Sequence, residues 1–236
     1  MELGKYAIWG VEMSDLHAGH RKRLRQRFIR EGLEGFEPHN VLELVLFYGI
    51  PRRDTNVIAH ELLRKFGTLE RVLTAPMDEL QAVSGMTENA ASLLRLVPQL
   101  MRVYSMNGIT SEPLDSSRKM RDYCIKNYIG VTSETVRVIC LDNKLRIIAD
   151  VVAFEGGVSK AEVNVRKIVQ FAFTHNADTI IIAHNHPQGD EIASDSDIAV
   201  TNHLIKALRA VNINLLDHII VGGNKATSMR ECGYFS

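Results

Sequence analysis

The segment His184-Asn185-His186-Pro187, with Ser194 and Asp197 a little further on, brings together the side chains best able to do chemistry. Two imidazoles two positions apart on an extended chain point to the same side. The run before them, Thr179-Ile180-Ile181-Ile182-Ala183, has the β-branched apolar composition of a buried strand. Pro187 ends that strand and leaves both rings at its carboxyl end, where α/β sheets usually carry their sites. The polar loop Gln188-Gly189-Asp190-Glu191 then leads back to Ser194 and Asp197 at the head of a helix. Two histidines and one carboxylate supply three protein ligands and leave a fourth position for water, which is the arrangement of a catalytic zinc site. The same set describes non-haem iron sites, so iron and manganese stand as alternatives to the expected single zinc. Each residue also has an ordinary reading. Paired histidines form hydrogen bonds at strand ends, Ser194 and Asp197 have capping-box spacing, and Asp190, Asp195 and Asp197 suit the positive end of a helix. The joint pattern favours the metal: His-x-His-Pro, six residues, Ser, two residues, Asp.

The elements that must position these groups follow from periodicity. Over 15–105 the apolar residues recur at threes and fours and predict short helices. Leu24 and Phe28 mark the buried face of one. Val41, Leu42, Leu44, Val45 and Leu46 mark a second, and Val57, Ile58, Leu62 and Leu63 a third. Gly49-Ile50-Pro51 separates the second from the third, because the residue before a proline is disfavoured in helix, and Asp54 is placed to cap the next start. A further pair spans Met77 to Val83 and Asn89 to Val103 around Ser84-Gly85, so the region reads as two helical hairpins in tandem. A polar stretch over 106–117, with Asn107-Gly108 and Pro113, has linker composition. Beyond it, Met120, Tyr123, Cys124 and Tyr128 predict an amphipathic helix. Val136 to Leu141 and Arg146 to Phe154 predict an antiparallel hairpin around Asp142-Asn143-Lys144. Helix (Ala161 to His175), strand (Thr179 to Ala183), helix (Asp197 to Val211) and strand (Asn214 to Val221) follow. The expectation is an α+β chain: a loose tail over 1–14, a helical domain over 15–105, a linker over 106–117, and an α/β domain over 118–236 whose mixed sheet is flanked by helices.

Composition narrows the class. The chain has 236 residues, 45% hydrophobic and 24% charged, with a formal net charge of zero, so no molecule-wide field draws it to nucleic acid or membrane. Cys124, Cys140 and Cys232 are widely spaced and odd in number, which argues against a disulfide framework; Cys140 reads as a buried core thiol. No signal-like or membrane-spanning apolar run is present, and the expected location is the cytoplasm.

The constellation His184-x-His186-Pro187, Ser194 and Asp197 resembles the JAMM motif of MPN+ metalloproteases. The chain is closest to the RadC family (UPF0758 type) within that group, through Glu134 to Asp142, Ile181 to Asp190, Leu216-Asp217-His218-Ile219-Ile220 and Ser228-Met229-Arg230. The resemblance extends, more loosely, through the helical region. It implies His184, His186 and Asp197 as zinc ligands and Ser194 as the residue that steadies an oxyanion. It also implies Glu134 as the acid that takes a proton from a zinc-bound water and hands it to the leaving amine. Composition does not single out Glu134, since Glu155, Glu162 and Glu191 were equally available. The implied activity is a zinc-dependent metallopeptidase or isopeptidase, and its partner a peptide or protein. Zinc lowers the pKa of bound water to ~7, a carboxylate shuttles the proton, and the metal with a serine hydroxyl stabilises the tetrahedral charge. Val165-Arg166-Lys167 stands where the family has Pro-Arg-Glu, Gly156-Gly157 where it has Gly-Thr, and Ala193 where it has proline. These departures bear on the cleft and not on the ligands. Asp217-His218 fits the family, and His218 reads as a hydrogen-bonded strand-end histidine, with support of a ligand as the alternative.

A second reading belongs to a different class. Arg21, Lys22, Arg23, Arg25, Arg27 and Arg30 form a dense basic run, and Gly49-Ile50-Pro51-Arg52-Arg53 resembles a helix-hairpin-helix DNA contact, where helix-start amides hold phosphate. Gly85-Met86-Thr87-Glu88-Asn89 resembles it too, with an unfavourable Glu88. The alternative function is therefore DNA binding or DNA processing of the repair-associated kind, with a structural or vestigial zinc. The plain reading of the basic run is the wet face of a helix. Zinc deaminases are excluded, because their H-x-E and P-C-x-x-C ligands are absent.

Overall fold

The structure, a computed structural model, describes residues 13–107, 112–156 and 165–236. The chain divides into two compact units, Met1–Pro98 and Gln99–Ser236. Helices make up the described part of the first unit: α1 (Met13–Glu31), α2 (Pro38–Gly49), α3 (Asn56–Phe66), α4 (Leu69–Thr74), α5 (Met77–Gln81) and the greater part of α6 (Glu88–Met106). Its core is built largely from the periodic positions, with Leu42, Leu46, Leu62, Leu80 and Leu94 fully buried beside Val72 of α4, each contributing roughly 1.5–3 kcal/mol of transfer free energy. The tandem hairpins interlock through their glycines. A Cβ on Gly49 would lie 2.6 Å from Ala90 Cα, and one on Gly85 would lie 2.9 Å from Ile58 Cδ1. Thr87 Oγ1 joins the two turns by donating to Gly49 O at 3.3 Å.

Several details differ from the sequence expectation. Helix α4 has six residues, too short to declare a period, and is started by Thr68, whose hydroxyl accepts from Arg71 N. The N-cap of α3 is Thr55, not Asp54, although Asp54 Oδ1 still accepts from Asn56 N at 2.9 Å. Phe28 is 37% exposed, so Leu24 alone carries the buried face of α1 there, packing with Leu44 and Phe47. Met13 and Ser14 of the expected tail form the start of α1, and the rest of that tail lies outside the described residues.

The second unit contains α7 (Ser117–Asn127), β1 (Thr135–Leu141), β2 (Ile147–Glu155), α8 (Val165–Thr174), β3 (Thr179–Asn185), α9 (Asp195–Arg209), β4 (Asn214–Gly222) and β5 (Lys225–Ser228). The start of the helix expected from Ala161, together with Gly157 and Glu162, lies outside the described residues. Within the expected linker, Gly108 to Ser111 are likewise outside. Leu114, however, is buried in this unit and donates its N–H to Leu145 O at 2.8 Å, while Ser116 caps α7. Sheet order is β2-β1-β3-β4-β5. Strands β3 and β4 are parallel, joined by the α9 crossover, and the other neighbours are antiparallel. The four-residue β5 was not expected, because so short a segment shows no alternation.

Strand parity sorts the side chains between the two faces. Ile180 and Ile182 pack in the cluster that includes Ile168 and Ala172 of α8 and Leu204 and Leu208 of α9. Ile181 and Ala183 pack with Met120, Tyr123 and Cys124 of α7. His184 continues the parity of Ile180 and Ile182, which directs it to the α9 face. Among the described residues no helix is long and apolar enough to cross a membrane.

Candidate metal centre

Strand β3 runs two residues past the expected end, through Asn185, so His184 belongs to the sheet and His186 follows its last residue. His186 is tied to the neighbouring strand by donation of its N–H to Val221 O at 2.8 Å. The two Nε2 atoms approach to 3.0 Å. Asp197, in the first turn of α9, places Oδ1 3.5 Å from His184 Nε2 and Oδ2 3.7 Å from His186 Nε2. One ligand atom from each of the three residues lies within 4.8 Å of the others. His184 and Asp197 are buried, at 3% and 8% exposure, and His186 is only partly so. Two imidazole nitrogens and a carboxylate oxygen, gathered where water is scarce, form a donor set suited to a metal ion. The three residues are positioned to bind one.

The capping-box reading of Ser194 and Asp197 is also realised. Ser194 N and Oγ donate to Asp197 Oδ2 at 2.8 and 2.6 Å, and Asp197 N donates to Ser194 Oγ at 3.2 Å. The two readings coexist because a carboxylate has two oxygens. The cap holds Oδ2 and orients the group, leaving Oδ1 turned towards His184. The hydroxyl hydrogen of Ser194 is thereby committed to Asp197.

Glu134 lies just before β1 and is half-buried. It is not part of the three-residue cluster. Val136 pairs with His184 across β1 and β3, and Glu134 stands two residues before Val136 along the chain. Asn185, the unassigned residue of the His-x-His motif, clamps this segment. Its Oδ1 accepts from Thr135 N at 2.8 Å and its Nδ2 donates to Ser133 O at 3.0 Å, so the backbone is held on both sides of Glu134.

Behind the ligands, the structure corrects the strand-end reading of His218. It sits within β4, 3% exposed, with Nε2 2.8 Å from His184 Nδ1 and Nδ1 2.6 Å from Thr201 Oγ1. Burial, reinforced by the neighbouring His184, holds its pKa well below the usual histidine range. Asp217 is also buried, and desolvation raises its pKa against the opposing bonds from Ser228, Arg230 N and His218 N. The Ser228 and Arg230 bonds tie β4 to the end of β5 and the turn after it. Neither Thr201 nor Asn185 was singled out from the sequence. Thr201 carries a signal only in hindsight, four residues and one helical turn beyond Asp197.

A mixed sheet with two histidines at the end of its third strand and an aspartate at the head of the following helix is the arrangement of a JAB-type domain. The RadC-like JAB domain matches residues 114–234. A UPF0758 protein of Ruegeria pomeroyi is 37% identical over 216 residues, covering 91% of this chain and 96% of that relative. The chain belongs to the RadC family.

Proposed function

We propose that the protein is a zinc-dependent hydrolase of the JAMM type acting on a peptide or isopeptide bond. The convergence of His184 Nε2, His186 Nε2 and the Asp197 carboxylate on one small volume carries this reading. Zinc held there supplies Lewis acidity and a water whose pKa falls to ~7. Glu134, two residues before the strand partner of His184, is the carboxylate that would take a proton from that water and return it to the leaving amine. Asn185 holds the Glu134 backbone, and Ser194 orients Asp197. The test has two parts. Purified wild-type protein is expected to hold close to one zinc per chain and His186→Ala almost none; metal-free wild type under zinc-replete conditions overturns the proposal. In a screen of peptide and isopeptide substrates, Glu134→Gln is expected to keep the zinc and lose cleavage, and equal cleavage by both removes Glu134 from the mechanism.

The helical unit supports a second reading, contact with nucleic acid, on a narrower surface than the sequence suggested. Arg21 is committed to the backbone of the α2–α3 turn, and Arg27 and Arg30 are paired with Glu31. Lys22, Arg23, Arg25, Arg52 and Arg53 are exposed. Duplex DNA binding that weakens linearly on a logarithmic salt scale, and is lost on neutralising Lys22, Arg23 and Arg25, is the expected result. Unchanged affinity in that triple variant removes this surface.

A further inference from the structure

We propose that His218 and Thr201 are positioning residues that fix the ring tautomer of His184, so that its Nε2 carries a lone pair before any metal arrives. This rests on the metal-site reading above and adds the device that prepares the ligand.

The direction of the hydrogen bonds follows from counting protons. Thr201 Oγ1 lies 2.6 Å from the backbone carbonyl of Asp197. A carbonyl only accepts, and it outcompetes the weak thioether acceptor Met229 Sδ at 3.6 Å, so the single hydroxyl hydrogen of Thr201 goes there. His218 Nδ1 is also 2.6 Å from Thr201 Oγ1, so the imidazole must be the donor in that contact. A neutral ring that is N–H at Nδ1 has its lone pair at Nε2. His184 Nδ1, 2.8 Å from that atom, must then carry a hydrogen, which leaves the lone pair of His184 on Nε2. The other histidine is set in the same sense by a shorter route. His186 Nδ1 lies 2.8 Å from Asp190 O, again an acceptor only. The result is two Nε2 lone pairs facing one another across 3.0 Å, an arrangement that is repulsive unless a proton or a cation lies with them.

The chain also closes on itself. It begins at His184, crosses β4 at His218, passes to Thr201 one turn along α9, and ends on the carbonyl of Asp197, the third ligand. A ligand on the sheet and a ligand on the helix are thus held by one line of buried hydrogen bonds. Exposure is 3% at His218 and 1% at Thr201, so water does not compete for these contacts. An unconstrained histidine side chain prefers its hydrogen on Nε2, and one left to that preference would present an N–H to the metal.

The test reads the tautomer directly, by nitrogen-15 NMR of the imidazoles in metal-free protein, beside zinc and cobalt affinities. Wild-type His184 is expected as the Nδ1–H form. Thr201→Val is expected to release His218, move His184 towards Nε2–H and weaken both metals about 10–100-fold, while Thr201→Ser restores both readouts. Wild-type His184 found as Nε2–H overturns the proposal, and so does a Thr201→Val protein with unchanged tautomer and affinity. Because the NMR arm needs no metal, a protein with the correct tautomer that failed to bind zinc would sink the proposed function and leave this inference standing.

Discussion

Gly222 lies against the Asp190–Glu191 peptide so closely that it has no room for a side chain. A Cβ there would stand 2.6 Å from Asp190 C and 2.7 Å from Glu191 N. The same Asp190 presents its carbonyl to His186 Nδ1 at 2.8 Å. The end of β4 therefore seats the loop that orients His186, one of the three residues positioned to bind a metal. Gly222→Ala must push that backbone away, and rigid contacts of this kind cost about 1–3 kcal/mol. Metal affinity is expected to fall roughly 10–100-fold with the sheet intact, as read by competitive zinc titration. An affinity within a factor of two of wild type would show that the loop yields without disturbing His186.

Asn185 bridges Thr135 N and Ser133 O, so it acts on Glu134 through the backbone and not through the metal. Asn185→Ala is expected to retain zinc while lowering kcat about 10-fold or more, because a carboxylate displaced by an ångström is a poor proton acceptor. Loss of zinc alongside activity would place Asn185 with the ligands instead.

Ser194→Ala separates capping from oxyanion stabilisation. Loss of the cap is expected to reduce stability by about 0.5–2 kcal/mol, measured by denaturant unfolding. Loss of an oxyanion donor typically lowers kcat by about 10²–10³. With its hydroxyl hydrogen given to Asp197 Oδ2, the expected drop in kcat is below that range. A fall of the full size would show that the hydroxyl turns to the substrate during reaction.

Arg21 donates to the carbonyls of Ile50, Pro51 and Arg53 and lies over the Phe47 ring at 4.6 Å. Its burial, with the neighbouring Arg25 charge, lowers the guanidinium pKa against the attraction of Glu43 and Asp54. Arg21→Lys lacks the planar fork and is expected to cost about 1–2 kcal/mol after allowance for partial exposure. Faster hydrogen exchange around the α2–α3 turn would accompany it. Exchange unchanged there would return Arg21 to the solvent-facing basic run.

Burial and the charge of Asp150 raise the Cys140 thiol from 9.0 to about 11, and burial raises Cys124 well above its ordinary value. Cys232 is exposed. Alkylation of native protein at pH 8 is therefore expected to label Cys232 alone, with Cys124 and Cys140 reacting only on unfolding. A thiol whose folded pKa is raised favours the protonated native state. The stability linked to Cys140 is full below its unfolded value of 9.0 and declines as pH rises through about 11. Melting temperature measured across that interval should fall, and fall less in Cys140→Ala.

The cluster positioned for a metal was legible in the sequence because it is local. His184, His186 and Asp197 span a strand end, a loop and a helix start. Strand periodicity, a proline stop and cap chemistry suffice to say which side chains share a side, and the α+β order of elements follows from the same rules. Other features required the fold. His218 meets His184 across 34 residues and Thr201 across 17. Gly222 meets Asp190 across a helix and a strand, and Arg21 finds its carbonyls about 30 positions along the chain. Nothing in the local period of α1 distinguishes a guanidinium that clamps a turn from one that faces water. Short-range sterics and hydrogen bonding determine what each segment becomes, while tertiary packing alone decides which distant polar groups are buried together and must satisfy one another.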